Sequence, residues 1–233
     1  LIRNEIIGKY SWDTSEKSIN YGSGVNQWSQ ADLMKLLNPG HESESVGGSL
    51  YYNSKAGTCY TGNGNTSTSC DFTNTGLKND TTRNLIVETT YYTRGHNDSD
   101  VYVDAMYDKE RTSGTVYSGH STSWTGKIAL AYPSDYGYAA DLTLCQKTLY
   151  DYKNSTCTAN NWMKSILAPN YGWLLTPYSA NAYGVWLVHP SGYVDGNYAA
   201  YSAGGVAPVL SLTSELDIGS GTGESNSPYQ LSV

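Results

Sequence analysis

The chain has 233 residues, of which 15% are charged, and its 14 Lys and Arg against 21 Asp and Glu leave a net charge of −7 at pH 7. This length is enough for one large domain with a sizeable core, and we expect a single domain over residues 1–233. An acidic chain without a Lys/Arg cluster argues against nucleic acid or an anionic membrane surface as a partner. No apolar run approaches the roughly 18 residues that a membrane span requires. Because the chain starts at Leu1 and not at Met, we expect that any signal or anchor segment has been removed.

The predicted helices lie mostly in the first half of the chain. The clearest is Trp28–Leu37, with Ser29 as its N-cap and Pro39-Gly40 after its end. Its apolar stripe, at i, i+3 and i+4 spacing, is formed by Leu33, Leu36 and Leu37. A second helix is predicted over 81–90, where Val87 and two Thr pairs also suit a strand. Residues 102–110 fit a strand or a helix equally well.

The predicted strands lie mostly late. Residues 127–132 indicate a buried strand that Pro133 stops, followed by a turn over 134–137, and a short helix is predicted over 161–167. Short strands between tight turns are then predicted at 173–175, 184–188, 192–194 and 205–212. Early helices and a late sheet indicate the α+β fold class.

The four cysteines form two pairs that are close in sequence. Cys59 and Cys70 flank a polar loop, and Cys145 and Cys157 flank a short stretch that contains Tyr. Metal sites usually have tighter spacing and His partners, so we predict disulfides Cys59–Cys70 and Cys145–Cys157. Each would stabilise the fold by roughly 3 kcal/mol and would indicate an extracellular location. The alternative is four free thiols in a reducing compartment.

The sequence contains no pattern that is typical of a catalytic site. None of the histidines has metal-binding spacing; they are His41, His96, His120 and His189. Nucleophile-elbow, Walker and Rossmann patterns are also absent from the sequence. Asp98, Asp100 and Asp104 do not match a calcium-binding EF-hand loop, and an exposed polar loop explains them better. We therefore expect no enzyme, no metal site and no cofactor.

Residues 174–205 have an unusual composition. They include no Lys, Arg, Glu, Gln, Met or Cys, and Asp195 is their only formal charge when His189 is neutral. Average chains are about a quarter charged. The chain has 22 Tyr but one Phe, and this segment places Tyr among Ser, Ala, Asn and Gly, which is typical of adaptable recognition surfaces. The alternative is a β-rich exported protein with Tyr on half-exposed strand faces.

We predict that residues 178–202 form one contiguous surface that faces solvent and binds a ligand. The predicted binding residues are Tyr178, Asn181, Tyr183, Leu187, His189, Tyr193, Asp195, Asn197, Tyr198, Tyr201 and Ser202. The Tyr rings would supply anchors, and the polar side chains adaptable hydrogen bonds. Val185, Val188 and Val194 would point into the core and hold the short strands in place.

Three runs of sequence resemble a known family. They are Trp173-Leu-Leu-Thr-Pro-Tyr178, Ser191-Gly-Tyr-Val194 and Gly205-Val-Ala-Pro-Val-Leu-Ser-Leu212. These runs resemble the C-terminal half of C-type-lectin-like variable proteins that bacterial and phage diversity-generating retroelements diversify. The ending over 221–231 is similar to the tail of pilin-like surface proteins of gut Firmicutes. One position departs from the family, which usually reads Gly-Val-Arg-Pro-Val, because Ala207 replaces the Arg.

The resemblance implies a C-type-lectin-like fold with a diversified binding face. In that family the adenines of AAY codons are randomised, so varied positions cannot carry Lys, Glu, Gln, Met or Trp. The composition of 174–205 agrees, and Trp173 and Trp186 would then be fixed scaffold positions. The resemblance also implies a bacterial cell-surface adhesin or receptor with an unknown protein, peptide or glycan ligand, and an N-terminal anchor that is missing from this chain. The Ca²⁺-binding triplet of sugar-binding C-type lectins is absent from the sequence, so the fold alone does not indicate a glycan.

Two alternatives from other classes remain open. A pilin-like filament subunit would pack its Tyr-rich face against neighbouring subunits. An enzyme of the sulfatase-activating type shares the fold, but it depends on cysteine chemistry that this sequence does not display.

Overall fold

A computed structural model describes residues 1–17, 19–20, 22–77, 80–201, 204–222, 227 and 229–232. Their α-helices are α1 Asp32–Leu37, α2 Asp80–Asn84, α3 Val103–Asp108, α4 Pro133–Tyr138, α5 Ser155–Ala159 and α6 Lys164–Leu167. Their strands are β1 Ala56–Gly62, β2 Thr66–Asp71, β3 Ile86–Val87, β4 Thr89–Tyr92, β5 Ser123–Gly126, β6 Ile128–Ala129, β7 Tyr171–Pro177, β8 Gly184–Val188, β9 Val194–Tyr198, β10 Gly204–Gly205, β11 Val209–Leu212, β12 Asp217–Ile218 and β13 Leu231–Ser232. Single turns of 3₁₀-helix occur at Trp28–Gln30 and Leu149–Asp151, and a π-helical turn, Lys109–Ser113, continues α3. The predicted α+β fold class is confirmed.

The main sheet has four strands in the order β10-β7-β8-β9, with β10 parallel to β7 and the other pairs antiparallel. A second sheet joins β3, β11 and β6, and three two-stranded ribbons join β1 to β2, β4 to β5 and β12 to β13. The N-terminal segment runs beside the chain that follows β10. The Ile7 N–H donates to the Val206 carbonyl at 2.8 Å, and the Tyr10 N–H donates to the Gly204 carbonyl at 3.0 Å.

The main sheet separates two hydrophobic clusters. Trp173 and Leu175 of β7 and Val185 and Leu187 of β8 face the cluster that also contains α1. The alternate side chains Leu174 and Trp186, together with Val188 and Val194, face the opposite cluster, which contains α4 and α6. Because successive side chains of a strand point to opposite faces, a sheet covered on both sides has an uninterrupted apolar strand at its centre. The predicted inward orientation of the three valines is confirmed, since each is 0% exposed.

Helix α1 begins later than the sequence predicted. Residues 28–30 form a 3₁₀ turn, and the N-cap of α1 is Ala31, so the prediction of Ser29 as N-cap is wrong. The carboxylate of the buried Asp13 accepts the Asp32 N–H at 3.2 Å and takes the place of a local cap. A residue distant in sequence supplies this acceptor, so local patterns could not indicate it.

Other boundaries also differ from the prediction. The predicted turn over 134–137 is helix α4, with Pro133 at its first position and the Asp135 carboxylate accepting the Tyr132 N–H at 2.9 Å. The helix predicted over 81–90 ends at Asn84, and the β-branched residues after it form β3 and β4. Residues 103–108 are helical.

Both predicted disulfides are present. Cys59–Cys70 links the two strands of the β1–β2 ribbon, and Cys145–Cys157 joins the loop after α4 to α5, with 4.7 Å between its Cα atoms. No helix in the described part of the chain is both long enough and apolar enough to cross a membrane.

A buried carboxyl lies between α3 and α4. Glu110 is 0% exposed and accepts hydrogen bonds from the Ser134 N–H at 3.0 Å, from the Ser134 hydroxyl and from the Arg111 guanidinium at 2.7 Å. Burial raises the pKa of Glu110 to about 8, although these donors act in the opposite direction. The native state therefore holds a proton that the unfolded chain releases at an ordinary carboxyl pKa.

We expect the free energy of unfolding to fall as the pH rises from about 4.5 to 8, because the native state binds more protons than the unfolded state in that window. The expected loss is at least about 1.4 kcal/mol, the equivalent of one pKa unit. Glu110→Gln should remove this part of the pH dependence in urea melts at pH 5 and pH 8. Glu215→Gln, at an exposed position, is the control and should leave it in place. If the free energy of unfolding changed by the same amount between pH 5 and pH 8 in the native chain and in Glu110→Gln, the expectation would be contradicted.

Candidate functional site

Most of the predicted binding residues lie at the two ends of the main sheet. The β8–β9 register pairs Gly184 with Tyr198 at one end and Val188 with Val194 at the other. Tyr183 and His189 lie just beyond the two ends of β8, six residues apart, which corresponds to about 20 Å at 3.3 Å per residue. The prediction of a single contiguous surface stays a prediction, because the partly exposed residues 195–197 of β9 lie between the two ends. Its residues form two groups, because the middle of β8 is buried on both faces.

The first group forms an open cavity of about 420 Å³, which we name the tyrosine cleft. It is lined by Tyr178, Asn181, Tyr183, Gly184, Gly196, Asn197 and Tyr198. Five of these residues belong to the predicted set. The Tyr183 and Tyr198 rings meet edge to face, with centroids 5.4 Å apart, and Tyr198 is 53% exposed. The cleft thus presents aromatic rings and amide groups to solvent at the β7–β8 loop and the end of β9.

Tyr178 is held flat against the sheet. Its ring stacks on the buried Trp186, with centroids 4.2 Å apart and an interplanar angle of 21°. The ring also covers Gly196, the cross-strand partner of Trp186, where a Cβ atom would lie 2.0 Å from the ring. Only glycine allows this approach, so the absence of a side chain at Gly196 creates the floor of the tyrosine cleft.

The β7–β8 loop is fastened by a residue from the other end of the sequence. The buried Asn26 side-chain amide donates to three loop carbonyls, those of Tyr178 at 3.0 Å, Asn181 at 2.9 Å and Gly184 at 2.7 Å. Its backbone N–H donates to the Ala182 carbonyl at 2.8 Å. Asn181 closes the loop internally, because its side-chain oxygen accepts the N–H groups of Tyr183 and Gly184. The loop conformation that shapes the tyrosine cleft is therefore preorganised.

The second group is a row of rings at the opposite end of the sheet, which we name the aromatic row. It consists of Tyr150, Tyr171, His189, Tyr193 and Tyr201. His189 stacks on Tyr193 with centroids 4.4 Å apart and meets Tyr171 edge to face at 4.9 Å. Tyr201 packs against Tyr171 at 5.5 Å, and Lys153 covers Tyr150 with its Nζ 3.9 Å from the ring centroid. The rings of the aromatic row therefore pack against one another and against Lys153.

Asp195 lies on β9 between the two groups. Burial, followed by the carboxylates of Asp195 and Asp98, raises the pKa of the Tyr178 hydroxyl. Burial and then Asp195 also raise the pKa of Tyr193. Asp98 approaches because its loop runs beside the cleft, where His96 forms a parallel bridge with Tyr178. The two carboxylates that act on Tyr178 are therefore a source of negative charge near the floor of the cleft.

Two further residues of the predicted set, Leu187 and Ser202, belong to neither of the two groups. Leu187 is 1% exposed and packs in the cluster that contains α1, so including it was wrong. Composition could not separate it from its neighbours, because Leu is permitted at diversified positions. Ser202 lies outside the described residues.

Sequence reasoning missed several residues that shape these groups. Tyr171 and Tyr150 lie outside the segment of unusual composition, and Asn26 and Asp98 are distant from it in sequence. Tyr171 lies three residues before the start of that segment and could have been included. Nothing local distinguishes Asn26 or Asp98, since their roles arise from contacts across the fold.

No group of three or more His, Cys, Asp or Glu side chains among the described residues is arranged to hold a metal ion. Comparisons with protein families, with curated proteins and with solved structures found no match to this chain.

Proposed function

We propose that this protein is a ligand-binding module of the C-type-lectin-like variable class, displayed outside a bacterial cell, and that the tyrosine cleft is the centre of its diversified face. The observation that carries the proposal is the cleft itself, where five of the predicted residues line one open cavity of about 420 Å³. A cavity of this size is within the range of ligand sites in proteins. The two disulfides agree with an extracellular location.

The separation of variable and fixed positions supports the proposal. Trp173 and Trp186, which randomised AAY codons cannot encode, are 1% and 0% exposed. Tyr198, a residue type that such codons do encode, is 53% exposed in the cleft. Functional loops carried on a rigid frame tolerate variation, whereas buried positions do not.

A display library tests the proposal directly. The cleft codons for Tyr183, Asn197 and Tyr198 are randomised to NNY, and the library is selected against a panel of unrelated proteins. A matched control library randomises three exposed positions of β2, namely Thr66, Ser67 and Thr68. We expect protease-resistant, target-specific binders from the cleft library alone. Loss of the fold in most cleft variants, or equal yields from both libraries, would contradict the proposal.

The gene offers an independent test of the retroelement. A neighbouring reverse transcriptase and a near-copy of the codons for residues 174–205 are expected. Substitutions between the two copies should fall on cleft codons and avoid those of Trp173 and Trp186. A gene without such a copy would contradict diversification by a retroelement. The proposal that the cleft binds a ligand would then be tested by the display library alone.

A different surface favours the second candidate, a filament subunit. Leu1, Tyr138 and Trp162 are 72%, 47% and 59% exposed and border one open cavity of about 400 Å³. Exposed apolar surface of this kind marks contact regions. If the chain assembles, sedimentation velocity should show oligomers that grow with concentration and that Trp162→Ser removes. A monomer at every concentration would contradict this candidate.

The outer edge of β9 gives the filament candidate little support. The Ala199 N–H donates to the Tyr183 carbonyl and the His189 N–H to the Tyr193 carbonyl, each at 2.8 Å. By the alternation of an antiparallel ladder, the N–H groups of Gly196 and Tyr198 then point away from β8. The side chains of the preceding residues, Asp195 and Asn197, accept both at 2.7 and 2.8 Å. Few donors remain on this edge to pair with a strand of another subunit.

A further inference from the structure

Two tyrosine clusters elsewhere in this protein contain a cation. The Arg111 guanidinium lies between Tyr107 and Tyr132, 4.1 and 4.2 Å from their ring centroids. Lys153 lies over Tyr150 in the aromatic row. The negative face of an aromatic ring attracts a cation, and the attraction grows when water is excluded.

The tyrosine cleft contains Tyr rings, but none of the described cations lies over them. Within the described part of the chain, no Lys or Arg lies over Tyr178, Tyr183 or Tyr198. The carboxylates that act on Tyr178 are those of Asp195 and Asp98, and neither forms an ion pair with another described residue. Aromatic rings near carboxylates that have no ion-pair partner make this cavity attractive to a positive group.

We propose that the tyrosine cleft receives a lysine or arginine side chain of a protein ligand. This inference rests on the proposed function and names the chemistry of the ligand at the same site. The Tyr rings contact the alkyl stem and the charged head, and Asn181 and Asn197 also line the cavity. Asp195 lies next to the lining residue Gly196 on β9 and supplies the opposite charge from outside the lining. The net charge of −7 also favours a positively charged partner.

The shape of the cleft favours a narrow, charged group. Tyr178 lies flat on the floor, and the Tyr183 and Tyr198 rings, which meet edge to face at an interplanar angle of 70°, form a wall. Rings on a floor and a wall contact a planar guanidinium or a compact ammonium from two sides. A neutral sugar would use the rings and the amides but would lack the charge attraction to the two carboxylates.

The test is a titration of the ¹⁵N-labelled protein followed by amide chemical shifts at fixed salt. The probes are N-acetyl-arginine amide, its neutral isostere N-acetyl-citrulline amide, and methyl β-galactoside. We expect the arginine probe to shift the amides of Gly184, Gly196 and Tyr198 and to bind at least about fivefold more tightly than the citrulline probe. Asp195→Asn should reduce this ratio.

Variants at the exposed Tyr198 distinguish the contribution of its ring to binding from that of its hydroxyl. Tyr198→Ala should weaken the arginine probe about two- to fivefold, whereas Tyr198→Phe should retain its affinity because the ring remains. Tyr229→Ala, 52% exposed and outside the cleft, is the control and should have no effect.

Other outcomes would overturn the inference. Equal affinity of the arginine and citrulline probes would mean that charge is not recognised. Cleft shifts with the galactoside but not with arginine would identify a glycan site and leave the binding proposal intact. If no probe shifts the cleft amides while the randomised library yields binders, the cation inference alone fails.

Discussion

Replacing Trp173 with Ala should lower the free energy of unfolding by about 3–5 kcal/mol, because it removes a large buried ring from the core. Trp173 is 1% exposed, and its indole N–H donates to the Tyr10 carbonyl at 2.8 Å. The ring also lies against Gly204, where a Cβ atom would come within 2.0 Å of the indole nitrogen. The substitution therefore affects the sheet, the N-terminal segment and the start of β10 together. Urea denaturation monitored by circular dichroism measures the loss.

Tyr198→Ala is the matched control, since this ring belongs to the proposed diversified face. It should change the free energy of unfolding by no more than about 1 kcal/mol, as expected at an exposed position. A lower denaturation midpoint for Tyr198→Ala than for Trp173→Ala would mean that Tyr198, and not Trp173, belongs to the scaffold.

Replacing Asn26 with Ala should cost about 2–4 kcal/mol, because three loop carbonyls, which are buried or partly buried, lose the same side-chain amide as a donor. Asn26→Asp keeps the shape but directs an oxygen at the same carbonyls, and it should be at least as destabilising. Both variants should also alter the amide chemical shifts of Gly184 and Tyr183, because the β7–β8 loop loses its fastening. Urea denaturation and amide spectra measure the two effects.

Asn197→Ala is the control for this experiment. Asn197 belongs to the cleft, but its side chain accepts only the adjacent Tyr198 N–H, so a loss below about 1 kcal/mol is expected. If Asn26→Ala proved as mild as Asn197→Ala, the loop would hold its conformation without the clamp.

These two results bear on how the site works. Binding through variable side chains requires that the backbone beneath them stays fixed while the side chains change. Trp186 and Gly196 fix the position of Tyr178, and Asn26 fixes the loop that carries Tyr183. None of these three residues offers a side chain to a ligand in this arrangement. Their loss should reduce affinity through the shape of the cleft.

The sequence by itself determined the features that depend on near neighbours. The apolar stripe of α1 is buried at all three predicted leucines, and the cysteines pair within 12 residues of each other as their spacing indicated. Strand β8 has the predicted bounds, because an apolar run flanked by turn residues forms a short buried strand. The composition of residues 174–205 also identified most of the residues that line the tyrosine cleft.

Only the tertiary structure decided which of those residues lie together. Solvent-facing side chains of residues 178–201 cluster at the two ends of the main sheet, since hydrophobic clusters cover both of its faces, and this separates Tyr183 from His189 and buries Leu187. The cap of α1 by Asp13 and the Asn26 clamp, whose bonds reach across 152 to 158 residues of sequence, are likewise long-range contacts. Such contacts leave no local pattern, because any buried polar side chain able to reach the unpaired backbone groups can satisfy them, wherever it lies in the sequence.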